Sequence, residues 1–233
     1  MSVICVGTMA FDAIETPFGK VDQIVGGSGT YVAYAASNFV TPIQQISIVG
    51  YDFPQEEMEE MTRRGVSLEG VEIIKDKKSF FWSGKYHLDM NSRDTLVTDL
   101  NVLADFNPIV PDSYQGAEFL ILGNLAPAIQ MSVINQLKVR PKLIVMDTMN
   151  FWMDIAMDEL KDVLKKVDVL LVNDAEDKSQ FSGNLIIPLL RIFKYSELNS
   201  ISSSQIKIEL YFLIIASSKI LIIVLFNADA NLL

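Results

Sequence analysis

The sequence lacks glycine over its last 50 residues. All 12 glycines lie at or before Gly183, whereas ordinary usage would place about 3 or 4 in Asn184–Leu233. The same stretch contains 21 isoleucines and leucines and 7 serines. We therefore divide the chain into residues 1–183, which we predict to form an α/β domain, and an atypical tail of residues 184–233.

Cysteine and histidine are almost absent. Cys5 is the single cysteine, which excludes a disulfide framework, and its place in the first apolar run predicts a buried, inert thiol. His87 is the single histidine. It lies in a stretch of alternating polar and apolar residues with no catalytic partner in view, which favours a surface position over catalysis.

Positive charge is scarce as well. Lysine and arginine number 19 against 29 acidic residues, which gives a net charge of −10 and a pI of about 4.6. This balance argues against a nucleic-acid groove or an anionic membrane surface as partner. The N-terminal segment lacks the basic lead and the apolar length of a signal peptide, so we predict a cytoplasmic protein.

The first strand is not followed by the G-x-G-x-x-G pattern that binds dinucleotides. Instead, Gly26–Gly29 reads GGSG and opens directly into Thr30–Phe39, an alanine-rich segment that we predict to be a helix. Glycines at a helix start let a ligand approach the backbone, and free amides there favour oxygen ligands. A tight turn with close helix packing is the alternative interpretation.

A strand–helix–strand unit carries the strongest functional pattern in the chain. Leu143–Met146 and Val169–Val172 are apolar runs of strand length, and apolar residues at helical spacing lie between them. The polar residues that follow the two strands are Asp147, Asn150, Asn173 and Glu176. The carboxyl ends of parallel strands form the ligand crevice of an open α/β sheet, so we expect these side chains on one rim.

Several motifs, taken in order, resemble the ribokinase-like (PfkB-type) carbohydrate kinase family. The matching segments are Gly7-Thr-Met-Ala-Phe-Asp12, Gly26-Gly27, Gly50-Tyr-Asp52, Asp147-Thr-Met-Asn150 and Asn173-Asp-Ala-Glu176. The resemblance covers about residues 1–183. It implies a Rossmann-like, three-layer α/β fold, truncated at its C-terminal side, with a small β lid. We expect the lid to comprise about residues 71–101, where alternation predicts hairpin strands, and the strand near Val21.

The resemblance also implies ATP- and Mg²⁺-dependent phosphorylation of a hydroxyl group of a sugar or nucleoside. The residues it assigns to the substrate are Asp12, Gly26, Gly27, Asp147 and Asn150, and those it assigns to magnesium and phosphate are Asn173 and Glu176. It allows a homodimer through the lid. The family often has an asparagine at the position of Tyr31, so the sugar is not fixed by the resemblance. The alternative interpretation is structural: Asn173 caps the N-terminus of a helix, Glu176 is an acidic residue in the first turn of that helix, and Asp147 caps a loop.

The chain departs from the family after Gly183. Family enzymes carry a late G-A-G-D motif, in which the aspartate is the catalytic base and the glycine amides form the anion hole. Asn227-Ala-Asp-Ala230 lacks those glycines, so we predict that the base is missing and the ATP site incomplete. Three hypotheses follow. The chain is a sugar or nucleoside kinase whose C-terminal half has been lost or replaced, which a shifted reading frame would explain; or it is a non-catalytic sugar-binding or regulatory protein; or it is a fragment anchored in a membrane by Leu210–Phe226.

Overall fold

The computed structural model describes residues 1–90, 92–172 and 191–194, of which Val172 and residues 191–194 are described as backbone alone. The strands of these residues form two β-sheets. The strands are β1 (Val3–Val6), β2 (Ala10–Thr16), β3 (Gly19–Gly26), β4 (Ile43–Gly50), β5 (Val66–Ile74), β6 (Phe80–Tyr86), β7 (Arg93–Asp99), β8 (Phe119–Leu122), β9 (Leu143–Asp147), β10 (Val169–Val172) and β11 (Arg191–Lys194). The helices are α1 (Ser28–Ser37), α2 (Gln55–Arg63), α3 (Pro127–Gln136), α4 (Asn150–Ile155) and α5 (Met157–Leu164), and short 3₁₀ turns cover Asn101–Asp105 and Asp112–Tyr114.

The large sheet is parallel throughout its described strands. Its order is β11-β10-β9-β8-β1-β4-β5, so β1 lies near the middle between β4 and β8. Every residue of β1, β4 and β8 is buried, as expected for strands covered on both faces. The predicted parallel α/β sheet is confirmed, because continuous apolar runs of this length are typical of such strands.

Helices cover both faces of the large sheet and complete three layers. Val3 and Cys5 of β1 pack in one apolar cluster with α1 and α2, whereas Ile4 and Val6 pack in a second cluster with α3 and α5. This division follows from the alternation of side chains along a strand. The Cys5 thiol is fully buried, so the prediction of a buried thiol is confirmed, and burial raises its pKa to about 12.

The small sheet has the order β3-β2-β6-β7. Two antiparallel hairpins, β2–β3 and β6–β7, meet through a parallel pairing of β2 with β6. Hairpin strands were predicted within 71–101, but Val71–Ile74 belongs to β5 of the large sheet. Strand β2 was not predicted, and it places Asp12 inside a strand rather than in a loop.

His87 follows β6, is half-exposed, and lies 3.1 Å from an oxygen of Asp94, which agrees with a surface position.

The Gly50-Tyr-Asp52 motif fastens the small sheet to the large one. The Asp52 Oδ1 atom accepts a hydrogen bond of 2.7 Å from the Ser79 amide, and the Gly50 amide donates to Ser79 Oγ at 2.9 Å. Asn101 Nδ2 donates to the Ser79 carbonyl, also at 2.9 Å. The chain therefore enters and leaves the β6–β7 hairpin at one fixed point at the end of β4.

We expect Tyr114→Phe to destabilise the fold. Tyr114 is 1% exposed, and its hydroxyl donates to the Ser67 carbonyl at 2.9 Å and accepts from the Gly70 amide at 3.1 Å. These bonds attach edge strand β5 to the segment before β8. Leaving buried polar groups unpaired costs about 1–3 kcal/mol, which urea unfolding would measure. Tyr51→Phe is the control, since Tyr51 is 57% exposed, and equal stabilities of the two variants would contradict the assignment.

Among the described residues, no helix is long and apolar enough to cross a membrane. The proposed anchor Leu210–Phe226 lies outside the described residues. Within the tail, β11 is described as backbone, and it pairs in parallel with β10.

Candidate functional site

The carboxyl ends of the central strands form a rim at one edge of the large sheet. Val6 is the register partner of Leu122, and Leu122 is the partner of Met146. The next residues along these strands are Gly7, Gly123 and Asp147, which therefore follow one another along the rim. This arrangement agrees with the expectation that strand ends converge on one edge.

Helix α1 begins directly on this rim. A Cβ atom placed on Gly7 would lie 2.6 Å from the Gly29 amide nitrogen, and one placed on Gly123 would lie 2.7 Å from Ser28 Oγ. Both distances are far inside van der Waals contact, so side chains at these two glycines would displace the helix start. The sequence analysis did not predict this packing role of Gly7 and Gly123.

Thr8 bonds to the first amides of α1. The Ser28 amide donates to Thr8 Oγ1 at 3.1 Å, and the Gly29 and Thr30 amides donate to the Thr8 carbonyl at 2.8 and 3.3 Å. Amides at a helix start are otherwise free to bind anions. Here those of residues 28–30 are already bonded to Thr8, so the expectation of free amides is corrected in favour of close packing.

Gly27 shapes the turn before α1. Its φ of +96° lies in the region that favours glycine, and a Cβ atom there would lie 2.3 Å from the Thr8 carbonyl oxygen. Its own amide donates to the Asp12 carboxylate. The double glycine therefore joins the end of β1, the start of α1 and a side chain of the small sheet.

Asp12 is a buried carboxylate on the small sheet. It is 6% exposed, and a Cβ atom on Gly26 would lie 2.1 Å from its Oδ2 atom, so glycine at 26 makes room for it. Burial raises the pKa of Asp12 to about 6, and the hydrogen bond from Gly27 opposes that rise. The structure thus brings Asp12, Gly26 and Gly27, which the resemblance assigns to the substrate, into contact.

Asp12 defines what we call the inner face of the small sheet. Its register partners are Ile24 on β3 and Trp82 on β6, whose side chains share this face. Tyr31 of α1 approaches the same place, with its hydroxyl donating to the Val25 carbonyl at 3.5 Å. Burial, and then the negative charge of Asp12, raise the pKa of Tyr31. The departure from the family at Tyr31 therefore lies beside Asp12.

Asp147 and Asn150 lie on the rim side of the site. Asp147 ends β9 and is partly buried, and Asn150 begins α4 and is exposed. Gln130, which is fully buried, donates through Nε2 to the carbonyls of Gly123 at 2.9 Å and Asp147 at 3.1 Å. This bridge fixes the ends of β8 and β9 relative to each other, and sequence reasoning missed it.

The residues expected to organise magnesium, Asn173 and Glu176, lie outside the described residues. They follow directly on β10, which pairs with β9 in the same parallel sheet. The described residues contain no group of three or more His, Cys, Asp or Glu side chains that would hold a metal ion. The part of the predicted site that the structure describes is thus the part around Asp12 and the double glycine.

Comparison with solved structures finds proteins of the same fold. A nucleoside kinase of Burkholderia thailandensis in complex with inosine is 17% identical, with a TM-score of 0.59 over 76% of this chain and 62% of that chain. A putative ribokinase from Thermoplasma acidophilum is 16% identical, with a TM-score of 0.60 over 82% and 69% of the two chains. Ribokinase from Cryptococcus neoformans var. grubii in complex with ADP is 17% identical, with a TM-score of 0.60 over 77% and 60%.

Sequence comparisons add nothing to this result. No protein-family model matches the chain, and no curated protein matches it. The match covers about 62% of the length of the Burkholderia nucleoside kinase. At these identities the comparison establishes fold, and the prediction made from the motif order is confirmed at that level: the chain has a ribokinase-like α/β fold over the greater part of its length.

Proposed function

We propose that this chain binds the polyol of a sugar or nucleoside between the inner face of the small sheet and the rim of the large one. The observation that carries the proposal is the Asp12 carboxylate, buried at 6% exposure with a raised pKa. Burying an ionisable group without a charged partner is costly, and such groups cluster at functional sites. A substrate hydroxyl would supply a second hydrogen bond to the carboxylate.

The reaction class that we propose is phosphoryl transfer from ATP to a hydroxyl group. It rests on the shared fold, on motif order, and on the inosine and ADP complexes among the similar structures. Asp12 would orient the hydroxyl, with Gly26 and Gly27 providing a backbone surface that a ligand can approach closely. Asn173 and Glu176 would hold hydrated Mg²⁺, which supplies charge neutralisation at the transferred phosphate when bound.

The proposal extends to a low rate of transfer, since the sequence provides no G-A-G-D segment. A non-catalytic sugar-binding protein is the second candidate, and the same absence favours it. Both candidates share the Asp12 site and differ in turnover. The membrane-anchored alternative depends on Leu210–Phe226, and resistance of the chain to carbonate extraction would support it.

We expect Asp12→Ala to weaken polyol binding about tenfold or more. A hydrogen bond between a hydroxyl and a charged group contributes about 1.5–3 kcal/mol, which corresponds to that change in affinity. Titration calorimetry with ribose and inosine would measure it. Asp22→Ala on β3 is a matched control, because that carboxylate is exposed and pairs with Lys20 at 2.8 Å. An unchanged affinity after Asp12→Ala would refute the assignment.

A further inference from the structure

The loop between β9 and α4, residues 147–150, carries two of the residues that the resemblance assigns to the substrate. Strand β9 ends at Asp147, and helix α4 begins at Asn150. We call this segment the rim loop. Asn124, which follows β8, contacts it, since the Nδ2 atom of Asn124 lies 3.1 Å from the Sδ atom of Met149. The rim loop is therefore attached to the end of β8 as well as to its own strand.

Gln130 of α3 provides a second attachment, and this one is fully buried. Its Nε2 atom donates to the Asp147 carbonyl at 3.1 Å and to the Gly123 carbonyl, at the end of β8, at 2.9 Å. A carbonyl oxygen can only accept a hydrogen bond, so the amide must present its nitrogen to these two groups. Both donor hydrogens of the amide are thus committed to the ends of two neighbouring strands.

Packing alone does not account for a glutamine at this position. The Oε1 atom of Gln130 is buried and has no hydrogen-bond partner among the described residues, and the same holds for Oγ1 of Thr148, which is 3% exposed. Leaving a buried acceptor unpaired costs about 1–3 kcal/mol. Buried polar atoms without partners are rare in folded proteins, so two of them beside the Asp147 carbonyl indicate a role besides stability.

The hydrogen bond from Gln130 determines how Asp147 is presented at the rim. A peptide group is planar, so a fixed Asp147 carbonyl fixes the orientation of the whole peptide between Asp147 and Thr148. Strand pairing also holds Asp147, whose register partner is Leu171 of β10. With the backbone held in this way, the Cβ atom of Asp147 has one direction, and its carboxylate is restricted to a few staggered positions.

We propose that Gln130 is a positioning residue, which holds the Asp147 carboxylate in the orientation that binds a hydroxyl group of the substrate. Gln130 acts through Asp147 and, being fully buried, does not touch the ligand. This inference rests on the proposed function, since it takes the rim of the large sheet as one wall of the polyol site. Without the Nε2 donor, the peptide after Asp147 is free to rotate, and the carboxylate turns away from the ligand.

Titration calorimetry on the full chain, with ribose and inosine as ligands, tests the inference through a double-mutant cycle. Gln130→Met keeps the length of the side chain and removes its donor. We expect Gln130→Met and Asp147→Ala each to weaken binding about tenfold, because each deprives a ligand hydroxyl of a charged partner. The double variant should bind no more weakly than Asp147→Ala alone, because Gln130 acts only through that carboxylate.

Two further variants separate positioning from a general loss of stability. Gln136→Met is the matched control on the same helix, since Gln136 Nε2 also donates to a carbonyl, that of Pro108 at 2.9 Å, which precedes β8 instead of following it. It should lower the melting temperature and leave both affinities unchanged. Gln130→Glu should give intermediate affinities, because burial favours the protonated carboxyl, which keeps one donor. Should Gln130→Met fail to fold, Gln130→Glu takes its place in the cycle.

The outcomes distinguish this inference from the proposed function. If Asp12→Ala weakens binding while Gln130→Met does not, the role of Gln130 is refuted and the polyol site stands. The same conclusion follows if the losses caused by Gln130→Met and Asp147→Ala multiply in the double variant, or if Gln136→Met weakens binding equally. If Asp12→Ala changes neither affinity, or if neither ligand binds, the polyol site is refuted, and this inference with it.

Discussion

The purified 233-residue chain should phosphorylate a sugar or nucleoside no faster than its Glu176→Ala variant. The reason is the missing G-A-G-D segment. A general base contributes about 10²–10⁴-fold to such a reaction, and an anion-hole donor contributes about 10²–10³-fold. Losing both removes roughly four to seven orders of magnitude, even when the polyol side of the site is intact.

An ATP-dependent assay with and without Mg²⁺ measures this rate. A robust, magnesium-dependent turnover that Glu176→Ala abolishes would contradict the prediction, and it would mean that residues 184–233 supply a base in a sequence that lacks the family motif. The DNA downstream of Gly183 provides an independent check. A G-A-G-D sequence in another reading frame would identify an interrupted kinase.

Asp12→Asn should stabilise the protein at neutral pH while weakening polyol binding. The pKa of Asp12 is about 6 in the folded chain against 3.8 for an ordinary aspartate. Between these values the folded state binds more protons than the unfolded state, so stability falls as the pH rises through this window. Each unit of pKa corresponds to about 1.4 kcal/mol, so the charged carboxylate costs about 3 kcal/mol above pH 6.

Unfolding by urea at pH 4 and pH 8 tests this prediction. Asparagine removes the charge and keeps an oxygen that can accept the Gly27 amide, so the variant should gain stability at pH 8 and little at pH 4. Asp22→Asn, an exposed position on the same sheet, should show no such pH dependence beyond the loss of its pair with Lys20. A variant less stable than the parent at pH 8 would show that the carboxylate is stabilised by a partner.

The large sheet could be predicted because buried parallel strands are continuous apolar runs. Val169–Val172 has the same bounds in the sequence prediction and in the structure. Strand β2 could not, because its sequence AFDAIET places a carboxylate in the middle of a strand. The carboxylate of Asp12 fits at that position because Gly26 on the neighbouring strand leaves room for it. This depends on the pairing of β2 with β3, which the sequence of β2 alone does not indicate.

The part of the candidate site that belongs to recognisable motifs could be predicted from the sequence. Asp12, Gly26 and Gly27, which the motifs singled out, lie in contact, whereas the roles of Gly123 and Gln130 depend on partners distant in sequence. Gly123, for example, matters because Ser28, 95 residues earlier, rests upon it. No local pattern reports such a contact.

The hydrogen bonds between Thr8 and the first amides of α1 have a consequence for how relatives of this chain are compared. Gly7, Gly27 and Gly29 are required by the packing of one helix on one strand, so a descendant that no longer met any ligand would still retain them. Asp12 is the opposite case, since we expect its buried charge to cost stability at neutral pH, and drift would replace it once binding ceased to matter. Among homologues, an invariant glycine at position 27 therefore records the fold, whereas an invariant aspartate at position 12, together with the Gly26 that makes room for it, records selection for a ligand.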